Sequence, residues 1–504
     1  MSSSEGSSLP LISEEGVPIL KNGSKWSVAL FFSVFVACLN SIQYGYHMSE
    51  LNAPGSVLSC QISEPIHNYP GGPKSYLDTW FGQNGYAQCI PMDDSQIGII
   101  TSIFSIAGLI ASIFIGGITE KFGRKTGFVC SSLAYTIGSM IEFTSNSFTT
   151  IAIGRFVSGL GAGAGIVTTP IYINEISPVE LRGVLGSMNQ VSINGGILLT
   201  QVLAINWSND FQWRLILAVG AIIGAINFVA AALIHESPKW VALKGNYTGA
   251  FNILTSLRNG DDQLSTSEMN VWKMEDKAHI DFIRQHPHLE NLQFYQYLTD
   301  KNYFSSRIIA AGVMIGQQFC GINSIIFYGV KILINLFPKN AVAINCMISV
   351  GNMVITFVAS LYLDRLGRKP MLLSSVSIMG VASVLMCIGI ISQFPTLSVL
   401  STFLYVGSFA CGCGPIPFLL ISEVSQNEVR GFAQSWGTSC NWFATFLVGI
   451  LFPIINAKIG GFVYLIFAFV CVIFAIFISR YIPETKGKKT YQEVWGIEEI
   501  STLD

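Results

Sequence analysis

Charge is what this chain has least of. Asp, Glu, Lys and Arg make up 12% of its 504 residues, about half the share of a soluble globular domain, while 51% are apolar and the mean hydropathy is +0.52. So few charges cannot cover a water-soluble surface. The near balance of 28 Lys and Arg against 30 Asp and Glu says nothing by itself about partners. Reactive chemistry is also scarce. Of the six histidines only His286 and His288 lie close together, and no nucleophile–base set, metal-ligand spacing or phosphate-binding loop occurs, so the sequence does not describe an enzyme and implies no cofactor. A cleavable leader is missing too: residues 1–24 are polar, Ser-rich and partly acidic, with no apolar core.

What the chain does have is long runs without charge. A membrane helix needs about 20 such residues to cross a hydrocarbon core of roughly 30 Å. Runs of this kind lie between Lys25 and Glu50, Asp94 and Glu120, Arg155 and Glu175, Arg182 and Asp210, Arg214 and Glu236, Arg307 and Lys331, Lys339 and Asp364, Arg430 and Lys458, and Lys458 and Arg480. The stretch from Thr126 to Gly154 is broken only by Glu142 and reads as another helix. Residues 370–422 carry no charge at all, enough for two helices with a turn near Gln393, Phe394 and Pro395. The fold class is therefore an all-α integral membrane protein of twelve transmembrane helices.

Short basic loops stay cytoplasmic. With both termini on that side, cytoplasmic segments collect 22 of the 28 Lys and Arg, leaving Lys74, Arg155, Arg214, Lys331, Lys339 and Lys458 outside. Of eleven cysteines, most fall in spans as small apolar packing residues. Cys60 and Cys89 share the first outer loop, Glu50 to Asp94, where a disulfide can form in an oxidising compartment.

The chain also repeats itself. Glu175-Ile-Ser-Pro-Val-Glu-Leu-Arg182 recurs as Glu423-Val-Ser-Gln-Asn-Glu-Val-Arg430, 248 positions later; Gly123-Arg124-Lys125 recurs as Gly367-Arg368-Lys369 after 244; Glu236 matches Glu484. This predicts two six-helix halves in parallel orientation. Residues 1–24 form a cytoplasmic tail, 25–235 the first half, 236–306 a charged cytoplasmic linker with short helices, 307–482 the second half and 483–504 a second tail. Two such halves suit a central solute site and alternating access. The repeated acids and bases sit at cytoplasmic helix ends. Carboxylates there can pair with always-charged guanidiniums to close the inner side, against the simpler reading that they only anchor helix ends. Uncharged carboxamides in the spans, Gln190, Asn194, Gln317, Gln318, Asn323, Asn352 and Asn441, offer donor and acceptor together, as sugar hydroxyls require, or else bond neighbouring helices.

Gln43-Tyr-Gly-Tyr46, Gly116 to Lys125, Gly154-Arg155-Phe156, Pro170-Ile-Tyr-Ile-Asn-Glu175, Glu236-Ser-Pro238, Gln317-Gln318-Phe-Cys-Gly-Ile-Asn323, Asp364 to Lys369, Gly414-Pro-Ile-Pro417 and Pro483-Glu-Thr-Lys-Gly487 together resemble the sugar porter family of the major facilitator superfamily, over about residues 25–490. Leu51-Asn-Ala-Pro54 and the Gln-Gln segment look most like animal-type glucose facilitators. The resemblance implies a hexose carrier, with sugar-contacting groups at Gln190, Gln317, Gln318, Asn323, Asn352 and Asn441, an apolar wall at Phe418 and Trp442, and an outer gating tyrosine at Tyr328. It implies gate pairs among Arg124, Glu175, Arg182, Arg368, Glu423 and Arg430. Two departures stand out. Ala410 replaces the sugar-contacting glutamate of many glucose facilitators, and Phe418 replaces their tryptophan, so the preferred sugar is open among hexoses, pentoses and polyols.

Proton-driven sugar porters carry an aspartate directly after the Tyr-Gly-Tyr type motif, and this chain has His47. With no acidic partner inside the first charge-free run, the expectation is facilitated diffusion, with a proton-coupled symporter working through His47, which titrates near mildly acidic pH, as the alternative. A non-transporting sensor is disfavoured by the short segment after Pro483. The expected partners are a small-molecule sugar and the lipid bilayer, with a monomeric functional unit. Glu15-Gly-Val-Pro-Ile19-Leu20 fits an acidic dileucine-like sorting pattern, leaving the plasma membrane and the vacuolar membrane as alternatives.

Overall fold

The computed structural model describes residues 26–61, 75–178, 181–285, 294–334, 336–337, 340–426, 429–488 and 491–496, and no strand occurs among them. The tail 1–24 with its sorting pattern lies outside the described residues. The first six long helices are α1 (Val28–Ser49), α2 (Asp94–Phe122), α3 (Arg124–Thr144), α4 (Phe148–Ile176), α5 (Arg182–Trp207) and α6 (Trp213–Leu233). Then come α7 (Phe304–Phe319), α8 (Ile322–Ile334), α9 (Ala341–Leu366), α10 (Arg368–Ile391), α11 (Pro395–Ser408), α12 (Ile416–Val424), α13 (Arg430–Ile459) and α14 (Val463–Tyr481).

Local chemistry sets many of these boundaries. Asp93 caps α2 and exchanges hydrogen bonds with Gln96, and Ser147 does the same for α4 with Thr150. Pro395 opens α11, where its missing N–H costs nothing. Two spans are broken. Gly321, at φ 101°, separates α7 from α8, and one turn of π-helix at Phe409–Cys413 separates α11 from α12, the kind of interruption that favours functional sites.

Among the described residues, nine segments are long and apolar enough to cross a membrane. One of them, Arg430–Tyr481, holds both α13 and α14. The helices α3 and α5, richer in Ser, Thr, Asn and Gln, fall outside that set. Two of the cations counted on the outer side, Arg155 and Arg214, are buried, each 1% exposed. Arg214 donates to the carbonyls of Phe143, Ser145 and Ala87, tying the loop between α1 and α2 to α3 and α6.

The repeat is visible in three dimensions. At the start of α3, the N–H groups of Arg124 and Lys125 donate to Glu236; at the start of α10, those of Arg368 and Lys369 donate to Glu484. A carboxylate thus sits on each helix N-terminus, where the dipole and unpaired N–H groups favour it. Burial pushes the Glu236 carboxyl above its ordinary range. Burial also raises Glu484, but N–H donors from Lys486, Arg368, Lys369 and Thr485 outweigh it and hold the group low. The preceding glycines, Gly123 at φ 102° and Gly367 at φ 94°, occupy backbone that side chains avoid. A Cβ at Gly123 would lie 2.2 Å from the Glu236 carboxylate.

Helix contacts differ between the two sets. In the first six helices backbones touch: a Cβ on Gly45 would lie 1.9 Å from the Ile193 carbonyl, on Gly196 2.0 Å from that of Ile42, and on Gly163 2.1 Å from that of Gly108. In the later helices side chains mostly intervene. Gly312 and Gly316 meet the rings of Phe477 and Phe474, and Gly437 meets Ile421. The linker helices Pro238–Leu243 and Tyr247–Leu257 pack under the first set, where Trp240 donates to the Glu120 carbonyl, while Tyr297 bonds Ser306 under the second.

Candidate functional site

Four of the predicted carboxamides meet. Gln317, near the end of α7, donates both amide hydrogens, to the carbonyls of Cys413 (2.7 Å) and Gly414 (3.0 Å) at the π-turn. Its Oε1 accepts from Gln318 (3.2 Å) and from Asn441 of α13 (2.8 Å). Asn323, at the start of α8, donates to Gln318 Oε1 (2.5 Å) and to Thr445 Oγ1 (3.3 Å). The row Asn323–Gln318–Gln317–Asn441 thus spans three helices without a charge. Gln317 has no hydrogen-bonding capacity left over, so it orders the row. Asn323 Oδ1 is buried and has no protein partner.

The other predicted residues lie apart from this row. Asn352 Oδ1 accepts from Thr356 (3.4 Å), whose hydroxyl accepts from Asn194 of α5 (2.8 Å), so this chain bridges the two sets of helices. Gln190 and Phe418 are half-buried, and neither joins the carboxamide row. Trp442 is buried in the seam between the sets, with Tyr44 of α1 at 5.9 Å and Phe104 of α2 at 6.3 Å between ring centroids. Ala410 is buried within the π-turn.

The seam is tied at the end that carries the loop between α1 and α2, and Tyr328 packs beside it within the second set. Tyr328 donates to the Gly449 carbonyl (2.8 Å) and stacks on Phe452. Asn52, after α1, donates to the Ile325 carbonyl (3.4 Å) and accepts from the Val330 N–H (3.0 Å). Lys331 pairs with Asp94, and Asn345 donates to Gln201 (2.7 Å). Cys60 and Cys89 form a disulfide in the loop above. A small cavity beneath is lined by Asn52, Ile100, Thr101, Phe327, Tyr328 and Lys331, among others.

At the opposite end two acid–base pairs close, each within its own set. Arg124 holds Glu175 by a forked contact at 2.8 Å, and Arg368 holds Glu423 at 3.1 Å. Arg182 and Arg430 are exposed at the starts of α5 and α13.

One expectation needs correction. His47 does have an acidic partner: Glu50, at the C-terminal cap of α1, lies 3.0 Å from Nδ1, and both side chains are fully buried. The sequence count ended the run at Glu50 and so placed that charge outside the span. Helical spacing of three residues returns it to the face of His47. Glu142 and Arg155, charges inside apolar stretches, carried the same signal. Thr445, Thr356, Gln201 and Asn345 were also missed. Hydroxyl residues are hard to single out because they can bond their own helix.

The whole of residues 33–495 matches the family model described as sugar (and other) transporter. The chain is 44% identical over 468 residues to the "Probable metabolite transport protein" of Saccharomyces cerevisiae, covering 93% of this chain and 95% of that protein. It is 38% identical to the vacuolar protein sorting-associated protein 73 of the same yeast, covering 95% and 98%, and 28% identical to the facilitated glucose transporter member 2 of Gallus gallus, covering 92% of each. Its fold matches the xylose transporter of E. coli in an inward-open conformation with a TM-score of 0.72, at 23% identity, over 93% of this chain and 100% of that one.

Proposed function

Since the chain belongs to the sugar transporter family, we propose that it carries a hexose across a membrane by alternating access, with residues 25–235 and 307–482 as the two rocking halves and all twelve long segments crossing the bilayer. The observation that carries the choice of solute is the uncharged row Asn323–Gln318–Gln317–Asn441. Carboxamides both donate to and accept from hydroxyls, whereas a charged solute would call for a counter-charge. Within the row, Gln318, Asn323 and Asn441 offer the free capacity, while Gln190, Asn352, Phe418 and Trp442 complete the sugar contacts. The functional unit is a monomer in contact with lipid, both termini face the cytoplasm, and no nucleic acid is involved. A relative named for vacuolar protein sorting supports the vacuolar membrane over the plasma membrane.

The test is exchange. Purified protein in liposomes preloaded with unlabelled D-glucose, D-fructose or D-xylose is expected to take up the same labelled sugar faster than empty liposomes do. Uptake into preloaded liposomes no faster than into empty ones, for all three sugars, would refute the reading.

The outer ties at Asn52, Lys331 and Asn345 support a conformation closed to the outside, and the cytoplasmic gate is made of Arg124, Glu175, Arg182, Arg368, Glu423 and Arg430, with Arg124–Glu175 and Arg368–Glu423 each paired inside one half. Arg182→Ala and Arg430→Ala are each expected to bias the carrier further toward this state, because inner closure needs those cations. A cysteine placed in the inner cavity should then be labelled several-fold faster. Labelling at the wild-type rate, with transport reduced, would assign the two arginines to folding or topology.

A further inference from the structure

The first six helices enclose a polar cluster that the sugar contacts do not use. Glu50 of α1 accepts from Arg155 of α4 at 2.5 Å and from His47 Nδ1 at 3.0 Å, both through Oε1. Glu142 of α3 accepts from Ser158 at 2.6 Å. One ligating atom from each of His47, Glu50 and Glu142 lies within 4.8 Å of the others, and all three residues are fully buried. Glu50 Oε2 also lies 3.0 Å from His47 Nδ1 without making a hydrogen bond, and Glu142 Oε2 makes no hydrogen bond with the protein.

The charges do not balance. Two carboxylates face one guanidinium, since Arg214 of α6 is turned to the carbonyls of Phe143 and Ser145. The remaining titratable neighbours are Tyr46 on α1 and Tyr135 on α3, which stacks on His47 at 4.7 Å. The packed parts of α2 and α5 contribute the Ile100 carbonyl and the Thr200 hydroxyl, neither charged. With His47 neutral the cluster carries one excess negative charge in a site without water contact, which is costly. Two carboxylates so close cannot both stay ionised cheaply, and one proton between them removes the excess. A metal ion is a poorer fit, because Arg155 already occupies Glu50.

We propose that Glu50 and Glu142 hold one exchangeable proton between them, a proton-binding site separate from the sugar contacts, and that its occupancy is linked to opening of the outer side. Binding forms an O–H bond on a carboxylate oxygen with hydronium as donor and water as the product, and needs no other reactant. The link is short. Asn52, which ties the outer seam to α8, is two residues beyond Glu50. Arg155 also lies 4.5 Å over Phe104, which touches Trp442. Protonating the pair weakens the hold of Glu50 on Arg155 and so acts on both. Below the cluster, Tyr135 Oη, Gln43 Nε2, Asn227 Oδ1 and Asn40 Nδ2 are likewise buried without protein partners, on successive turns of α1, α3 and α6. They mark a polar track toward the cytoplasmic side. The proposal rests on the transport reading and replaces the expectation of facilitated diffusion.

Two measurements on the full chain test it. Infrared spectra at neutral pH should contain the carbonyl band of a protonated, buried carboxyl group that disappears in both Glu50→Gln and Glu142→Gln; no such band, or one that survives both changes, overturns the site. This does not depend on any sugar. In liposomes with the membrane potential clamped, a pH step of one unit should drive an exchanged sugar to as much as about ten times its equilibrium level, in one direction of the gradient, for one proton per sugar. Glu142→Gln should stay at a ratio near one while still exchanging sugar. Wild-type accumulation of zero under both signs of the gradient overturns the coupling. Failure of exchange itself, with the infrared band present, sinks the hexose reading and leaves the proton site standing.

Discussion

Gln317→Ala is expected to weaken hexose binding by about ten- to a hundred-fold, because the substitution leaves buried partners unpaired at about 1–3 kcal/mol for a lost group of this kind. Gln317 holds the carbonyls of Cys413 and Gly414 with one end and the amides of Gln318 and Asn441 with the other. Removing it frees the π-turn and lets two proposed sugar contacts drift. The effect should therefore exceed that of Asn352→Ala, which removes one long hydrogen bond to Thr356. Equilibrium competition with labelled sugar, on protein that elutes as a single species, measures the difference. An unchanged affinity in Gln317→Ala would take the whole row out of the binding site.

Arg155→Ala is expected to be the most destabilising single change outside the sugar contacts. Breaking a buried ion pair by removing one partner costs about 3–5 kcal/mol, since the other charge is left without compensation. Here the guanidinium also donates to the carbonyls of His47 and Ile100 and lies over the Phe104 ring. Adding Glu50→Gln to Arg155→Ala should restore part of the lost melting temperature by removing the orphaned charge. Should the single variant melt with the wild type in detergent, Arg155 would carry no structural weight. A double variant no more stable than Arg155→Ala would show that packing over Phe104, and not charge, is what Arg155 supplies.

Helix boundaries were legible where punctuation is strong. The break at Gln393–Pro395 and the exit from Thr144 to Phe148 fall where the sequence puts them, because proline and capping hydroxyls act locally. The repeat was legible for the same reason: glycine at positive φ followed by Arg-Lys is a local requirement, and the matching acids Glu236 and Glu484 complete it. Side-chain partnership was less legible. That Gln317, Gln318, Asn323 and Asn441 converge could be anticipated only as a set of polar groups in apolar helices, since which helices face each other is not written in any one of them. The cluster of Glu50, Glu142 and Arg155 was overlooked because counting charge per segment assigns Glu50 and Arg155, at the edges of runs, to solvent and leaves Glu142 as a lone interruption, whereas burial is decided by the neighbouring helices.

The unequal glycine contacts have a mechanical meaning. Where one backbone rests on another, as at Gly45 against Ile193 and Gly163 against Gly108, nothing can rotate out of the way, and the first six helices form a stiff arm. Where rings and branched chains stand between helices, as at Gly312, Gly316 and Gly437, rotamer changes can absorb displacement, and the interruptions at Gly321 and Phe409–Cys413 supply joints. A machine with one stiff arm and one compliant arm concentrates its bending in the second. Amide hydrogen exchange is accordingly expected to be faster around α8 and α11–α12 than around α2 and α4, with the contrast widening when sugar is added; uniform exchange across both arms would mean that the whole body shares the deformation.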